Sequence, residues 1–217
     1  MKVRDIMSYN VVTIPSNTSI ADAKRIMTAH KIKRLPIVDK DKLMGIVTER
    51  GIEHVAPSKA TSLSVWELSY LLEKTSVKEI MKKDLVTVDP NMDAEEVVAL
   101  AQKNHVGSAL VVEDDRVIGI VTNDDFFYKI INPLLGIDIP GTRIEIKDGI
   151  QRGKGAETME FIMKTVHDLG LRITTIHIEG PYEKTPRDVC IHIDSDDVQE
   201  LINRLKAHGL DVRIRNR

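Results

Sequence analysis

The chain of 217 residues contains a single cysteine, Cys190, so no internal disulfide can staple its fold. Cys190 stands between Val189 and Ile191, both strand formers, and is read as a reduced structural thiol rather than a nucleophile. Aromatic residues are scarce at 4%, which leaves the core to Val, Ile, Leu and Met. Charge of one sign is also lacking. The 31 basic and 33 acidic residues give a formal net charge of -2, and no polybasic run interrupts the balance. Neither a nucleic-acid partner nor a membrane surface is expected from such a chain. Residues 1–7 hold no apolar signal core, and no later run approaches the roughly 20 apolar residues of a spanning helix. A cytoplasmic protein is expected. Catalytic arrangements are missing too: there is no Ser/His/Asp or Cys/His set with supporting context, no metal-ligand cluster and no phosphate-transfer loop. The chain is therefore read as a non-enzyme with no catalytic cofactor and no metal.

What the chain does contain is a duplication. Val3, Ile6 and Met7 recur as Val77, Ile80 and Met81; Val12 and Thr13 recur as Val86 and Thr87; Gly45 to Thr48 recur as Gly119 to Thr122. Every pair is 74 residues apart, and aligning 3–52 with 77–126 without a gap gives 12 identities in 50 positions. Within each copy the pattern predicts a short strand (11–14, 85–88) and a helix begun by Ser19 with Asp22 or by Asp93 with Glu96. Two aliphatic strands follow (35–38 and 43–47; 109–112 and 117–121), joined by charged hairpin turns. Each β-α-β-β-α unit is too small to bury its sheet, so the two are expected to pack about a pseudo-twofold axis. Between them, residues 64–73 have Val65, Leu68, Leu71 and Leu72 at helical spacing. Trp66 and Tyr70, four apart, can stack on a ligand or anchor this helix to the domain or a second subunit.

The stretch 119–125 runs from a strand into a helix and admits two readings. Thr122 and Asp125 can form a capping box. The same carboxylate can instead accept ribose hydroxyls while the hydroxyl and the helix N-terminus receive phosphate. The twin in the first copy keeps Thr48 but has Gly51 in place of the acid.

With the repeated V-x-x-I-M opening, the V-T-h strand and the G-h-V-T ending, residues 1–132 resemble a cystathionine-β-synthase (CBS) domain pair, or Bateman module. The resemblance implies a disc-like pair, commonly a homodimer, that binds an adenosine-containing regulatory ligand: AMP, ADP, ATP or S-adenosylmethionine. Carried onto this sequence, it implies one site formed by Thr13, Ile32, Lys33, Arg34, Pro36, Thr122, Asp124 and Asp125. There Asp125 holds the ribose, Thr122 the phosphate or ribose edge, Ile32 and Pro36 the adenine faces, and Lys33 and Arg34 the phosphate. A second, weaker site takes Thr48, Arg50, Thr87, Val106, Gly107 and Ala109.

Pro133 ends the helix after Asp125. Beyond a linker at 133–141, strands at 143–147, 173–179, 189–194 and 212–214 alternate with helices at 157–169 and 198–208, each closed by a glycine. This β-α-β-β-α-β order predicts a ferredoxin-like sheet with both helices on one face. Following a CBS pair, it resembles an ACT domain, and the combination is similar to the bacterial acetoin-utilisation accessory protein B family. The run 152–155 offers an anion cradle or a surface loop. His177 and His192 fall on the sheet face opposite the helices, where metal binding and an exposed face or subunit contact are the readings weighed. The expected organisation is thus α/β (α+β): CBS copy 1 (1–60), a connecting helix (61–76), CBS copy 2 (77–132), the linker and an ACT-like domain (142–217). Two functions remain: an adenosyl-ligand sensor that signals through a dimer, and an accessory subunit that docks on a metabolic enzyme without nucleotide dependence.

Overall fold

A computed structural model describes residues 1–55, 64–137, 139–151, 153–181 and 183–215, apart from the side chains of Val65 and Leu68. It divides into two compact units, Met1–Phe126 and Phe127–Arg217. In the first, the order is α1 (Val3–Ile6), β1 (Ser8–Tyr9), α2 (Ile20–His30), β2 (Arg34–Asp39), β3 (Lys42–Thr48), α3 (Glu49–Val55) and α4 (Val65–Lys74). After a 3-10 turn come β4 (Thr87–Val88), α5 (Ala94–Lys103), β5 (Ser108–Glu113), β6 (Arg116–Thr122) and α6 (Asn123–Phe126).

Local chemistry explains the repeated pieces. The Ser19 hydroxyl accepts from the Asp22 N–H at 3.0 Å and starts α2. Ile20, Ala23 and Met27 then bury one helical face. Both hairpins turn through two left-handed residues, Lys40 and Asp41 in the first copy, Asp114 and Asp115 in the second. That geometry matches the twist of the flanking strands. Both also carry a register shift at the same place, Ile37/Val38 and Val111/Val112. Asp93 departs from its expected role: it makes no side-chain cap on α5, because its carboxylate pairs with the Lys2 ammonium at 2.9 Å.

The copies interlock reciprocally. β1, from the first copy, pairs antiparallel with β6 of the second. In return Lys82, the equivalent of Ser8, exchanges two backbone hydrogen bonds with Ile46 of β3, at 3.0 and 2.9 Å. The entry turns are swapped in the same way: Val3 N–H donates to Met92 O and Val77 N–H to Thr18 O. Val77 is accordingly buried in the first copy's core with Ile14, Ile20, Leu35, Ile37 and Val47. The expected strand at 11–14 shrinks to a single bridge between Ile14 and Ile37. β1, which no periodicity marks, takes the edge of the second copy's sheet.

The connecting helix is α4, capped by Ser64 with Glu67 in a reciprocal box; 56–63 and the side chains of Val65 and Leu68 lie outside the described residues. Trp66 is 86% exposed and Tyr70 is exposed too, so neither anchors the helix to this unit.

The second unit contains a π-helical turn Phe127–Ile131, α7 (Asn132–Leu134), β7 (Thr142–Ile150), α8 (Gly155–Asp168), β8 (Ile173–Glu179), β9 (Arg187–Ile193), α9 (Gln199–Ala207) and β10 (Asp211–Ile214). Its sheet order, β10-β7-β9-β8 with every pair antiparallel, is that of a βαββαβ ferredoxin-like fold. Ile144, Ile146, Val189, Ile191 and Ile193 meet Ile162 and Val166 of α8 and Leu201, Ile202 and Leu205 of α9, so both helices cover one face. Arg152, in the glycine-flanked run, lies outside the described residues. Residues 127–132, expected to close the second copy, and the expected linker fall in this second unit. Arg143 Nη1 donates to Leu135 O at 3.2 Å, and Gly136 packs on the His192 ring.

Candidate functional site

In the first unit, each β-strand that ends in Gly-Ile-Val-Thr turns directly into a helix, and each junction borders a cavity. The cavity at Thr122 and Asp125 has about 330 Å³, the one at Thr48 about 340 Å³. Both lie in the size range of small-molecule sites.

Thr122 and Asp125 form a full capping box at the start of α6. Asp125 Oδ2 accepts from the Thr122 N–H and hydroxyl, both at 2.8 Å, and the Thr122 hydroxyl accepts from the Asp125 N–H at 3.4 Å. The carboxylate is only 7% exposed. Its other oxygen, Oδ1, accepts from the Ser8 hydroxyl at 3.1 Å, a contact delivered by the swapped strand β1. A carboxylate offers about four acceptor positions, and Thr122 and Ser8 already engage both of its oxygens. A ribose diol has to displace one of these donors; Ser8, outside the capping box, is the one whose loss leaves the helix start intact. At the other junction Thr48 still caps, accepting from Gly51 N–H at 3.0 Å, but Gly51 brings no carboxylate at the position equivalent to Asp125.

The 74-residue offset maps one cavity wall onto the other. Ile120 and Ile46, Lys31 and His105, Val11 and Leu85, Val12 and Val86, Ile32 and Val106 occupy matching places. Of the expected first set, Ile32, Lys33, Arg34, Thr122, Asp124 and Asp125 line the Asp125 cavity. Thr13 and Pro36 do not: Thr13 is exposed, and Pro36 is buried in β2 opposite Ile46. Of the second set, Thr48, Arg50, Val106 and Gly107 line the Thr48 cavity. Thr87 is exposed and Ala109 is buried in β5, and neither reaches it. In both copies the wall is made one and two residues earlier, by Val11 and Val12 in the first and by Leu85 and Val86 in the second. Ser8, Tyr9, Asn10, Val11, Val12, Lys31 and Ile120 also line the Asp125 cavity and were outside the expected set; Ser8 and Tyr9 form the swapped strand β1, and Ile120 belongs to β6, which leads to Thr122.

A family model for the CBS domain matches residues 3–56 and again 77–132, just over half of the chain. The chain belongs to the CBS domain family. Its CBS pair is similar to the Bacillus subtilis CBS domain-containing protein YhcV, at 27% identity over 57% of this chain and 81% of the relative. It is 33% identical to L-aspartate semialdehyde sulfurtransferase of Methanocaldococcus jannaschii over 57% of this chain, but covers only 22% of that enzyme. Several other curated relatives are likewise spanned over about a quarter of their length. Among solved structures, a Vibrio cholerae protein named for acetoin utilization (AcuB) aligns at 33% identity and a TM-score of 0.50, covering 61% of this chain and 91% of that one. A CBS-domain structure aligns at 28% identity and a TM-score of 0.51, over 60% of this chain and 98% of its own. No helix among the described residues is long and apolar enough to cross a membrane.

In the second unit, His177 and His192 have different surroundings. His192, expected on an exposed face, is 1% exposed, and its Nδ1 lies 2.5 Å from the Thr174 hydroxyl. His177 instead joins Glu179 and Cys190, with one ligand atom of each within 4.8 Å of the others. Arg143 donates to Glu179 Oε1 at 2.5 Å, and its guanidinium also lies 3.1 Å from His177 Nε2, so a positive charge already stands in this cluster. Burial pushes the Cys190 thiol up, away from the thiolate a metal needs. Burial also works to raise Glu179, but the hydrogen bond from His177 and the charges of Arg215 and Arg143 outweigh it and hold the carboxyl low. Next to it, hydrogen bonds to Asp188 and Glu145 raise Lys147, and the same Lys147 bond lowers Asp188. This face is an ion-paired network.

Proposed function

We propose that this chain is a non-enzymatic regulatory protein whose CBS pair binds an adenosine-containing ligand (AMP, ADP, ATP or S-adenosylmethionine) in the Asp125 cavity. The observation that carries the reading is the buried Asp125 carboxylate, held by Thr122 at the mouth of a cavity walled by both copies. In this reading Asp125 accepts the ribose hydroxyls, Ile32 and Val12 cover the base, and Lys33 and Arg34 face the phosphate. The Thr48 cavity lacks the carboxylate and holds the same ligand more weakly. The signal passes through a homodimer, in which ligand must favour one arrangement over another. The second unit, with its ferredoxin-like order, is an ACT-like regulatory domain, and the likeness to the Vibrio cholerae protein supports a place in acetoin utilisation. The exposed Trp66 and Tyr70 on α4 favour a second reading, docking on a metabolic enzyme without nucleotide dependence.

Isothermal titration of dialysed protein with the four ligands tests the first reading. The expected result is one tighter and one weaker equivalent, about tenfold or more apart, or 1.4 kcal/mol. No heat from any of them at millimolar concentration would retire it in favour of docking. Ser8→Ala removes the hydroxyl that competes for Asp125 Oδ1. Binding is expected to tighten about tenfold or more, since a hydrogen bond to a charged acceptor is worth about 1.5–3 kcal/mol; weaker binding would show that Ser8 contacts the ligand instead.

A further inference from the structure

Lys33 and Arg34 line both cavities of the CBS pair. Their counterparts at the 74-residue offset, Gly107 and Ser108, line only the Thr48 cavity. The duplication therefore lost its symmetry here: one copy supplies two long cations, and the other supplies room. The room is visible at Gly107, where an added Cβ would come within 3.4 Å of Arg34 Nη2 and 3.2 Å of Asn123 Nδ2. The Arg34 guanidinium thus lies across the backbone of one cavity's wall, beside the residue that follows Thr122 in the other.

The remaining charges make this pair decisive. In the Thr48 cavity, Arg50 and Lys82 are matched by Glu49 and Asp84. In the Asp125 cavity, Lys31 is outnumbered by Asp124 and Asp125. Without Lys33 and Arg34 the first set sums to zero and the second to minus one, so the net positive charge of either cavity is the shared pair.

We infer that the two cavities are coupled through Lys33 and Arg34, so that a phosphate-bearing ligand in one weakens a second phosphate-bearing ligand in the other. A ligand without phosphate does not draw on the pair and leaves its neighbour unaffected. The pair of sites is then built for unlike occupants, one anionic and one neutral. This rests on the adenosyl-ligand reading above.

The test compares 5′-AMP with neutral adenosine by titration calorimetry on the full chain, at about 20 mM and about 300 mM salt. Raising the salt shortens the screening length from about 20 Å to about 6 Å. For AMP the ratio of the first to the second stepwise constant is expected to exceed that for adenosine by about fivefold to tenfold at low salt. At high salt the excess collapses, and in the double variant Lys33→Met, Arg34→Met the AMP ratio falls to the adenosine value. Equal ratios for the two ligands at both salt concentrations would overturn the coupling while leaving ligand binding standing. Absence of heat from both would instead remove the adenosyl-ligand reading itself, and the coupling with it.

Discussion

An Asp125→Ala chain is expected to bind adenosyl ligands at the Asp125 cavity about 100-fold more weakly, leaving only the weaker equivalent in a titration. The size follows from what is lost. Hydrogen bonds to a charged group contribute about 1.5–3 kcal/mol each, and the buried carboxylate is the acceptor for the ribose. The substitution also removes the reciprocal half of the capping box, with Oδ2 no longer accepting from the Thr122 N–H and hydroxyl. A drop in stability of about 1 kcal/mol accompanies it. The two effects separate with Thr122→Ala, which disrupts the cap but keeps the carboxylate. Cap loss alone should reproduce the stability change and only a small part of the affinity change. Were Asp125→Ala to bind as tightly as the parent, Asp125 would be a structural residue and nothing more.

Gly141→Ala is expected to destabilise the second unit by about 3 kcal/mol or more, read as an earlier denaturant midpoint for that unit. Gly141 has φ +117, in a region that L side chains rarely adopt. A methyl there would also fall well inside contact distance of the Ile193 carbonyl oxygen. That oxygen belongs to backbone, not to a flexible side-chain end, and the next residue, Thr142, pairs with Ile193 in the register. Relief would require peeling β7 from β9 at the centre of the sheet. Gly153→Ala gives a contrast, since nothing lies within 4 Å of an added Cβ there and only the φ +82 penalty remains. An equally small loss at both positions would contradict the packing argument.

The duplication was legible because it is carried by positions that every copy must keep: strand interiors, helix starts and hairpin turns. β2, β3, β5 and β6 follow from aliphatic runs, and the ferredoxin-like order from glycine-closed helices. The cross-copy exchange was not legible. β1 is two residues long with both side chains exposed, so nothing in its own sequence marks it, and Ser8 reaches Asp125 across 117 positions. Thr13 and Thr87 are prominent in the repeated motif yet face away from the cavities, because a conspicuous residue in an extended segment still has an even chance of pointing outward. His192 was expected on an open face for a similar reason. Alternation gave the correct side of the sheet, but the packing of Gly136 against its ring depends on the chain from Phe127 onward, which proline and glycine made look like a linker.

The exchange between copies also sets a timetable. Ser8 leaves the ribosome early but finds its strand partner only when Ile120 has been made, and Val3 waits for Met92. At a synthesis rate of about 5–20 residues per second, the N-terminus stands unpaired for on the order of ten seconds. For the shorter time until Lys82 follows, the edge of β3 that it will cover is an open template for another nascent chain. For this duplicated unit, the second copy acts as the first one's intramolecular chaperone.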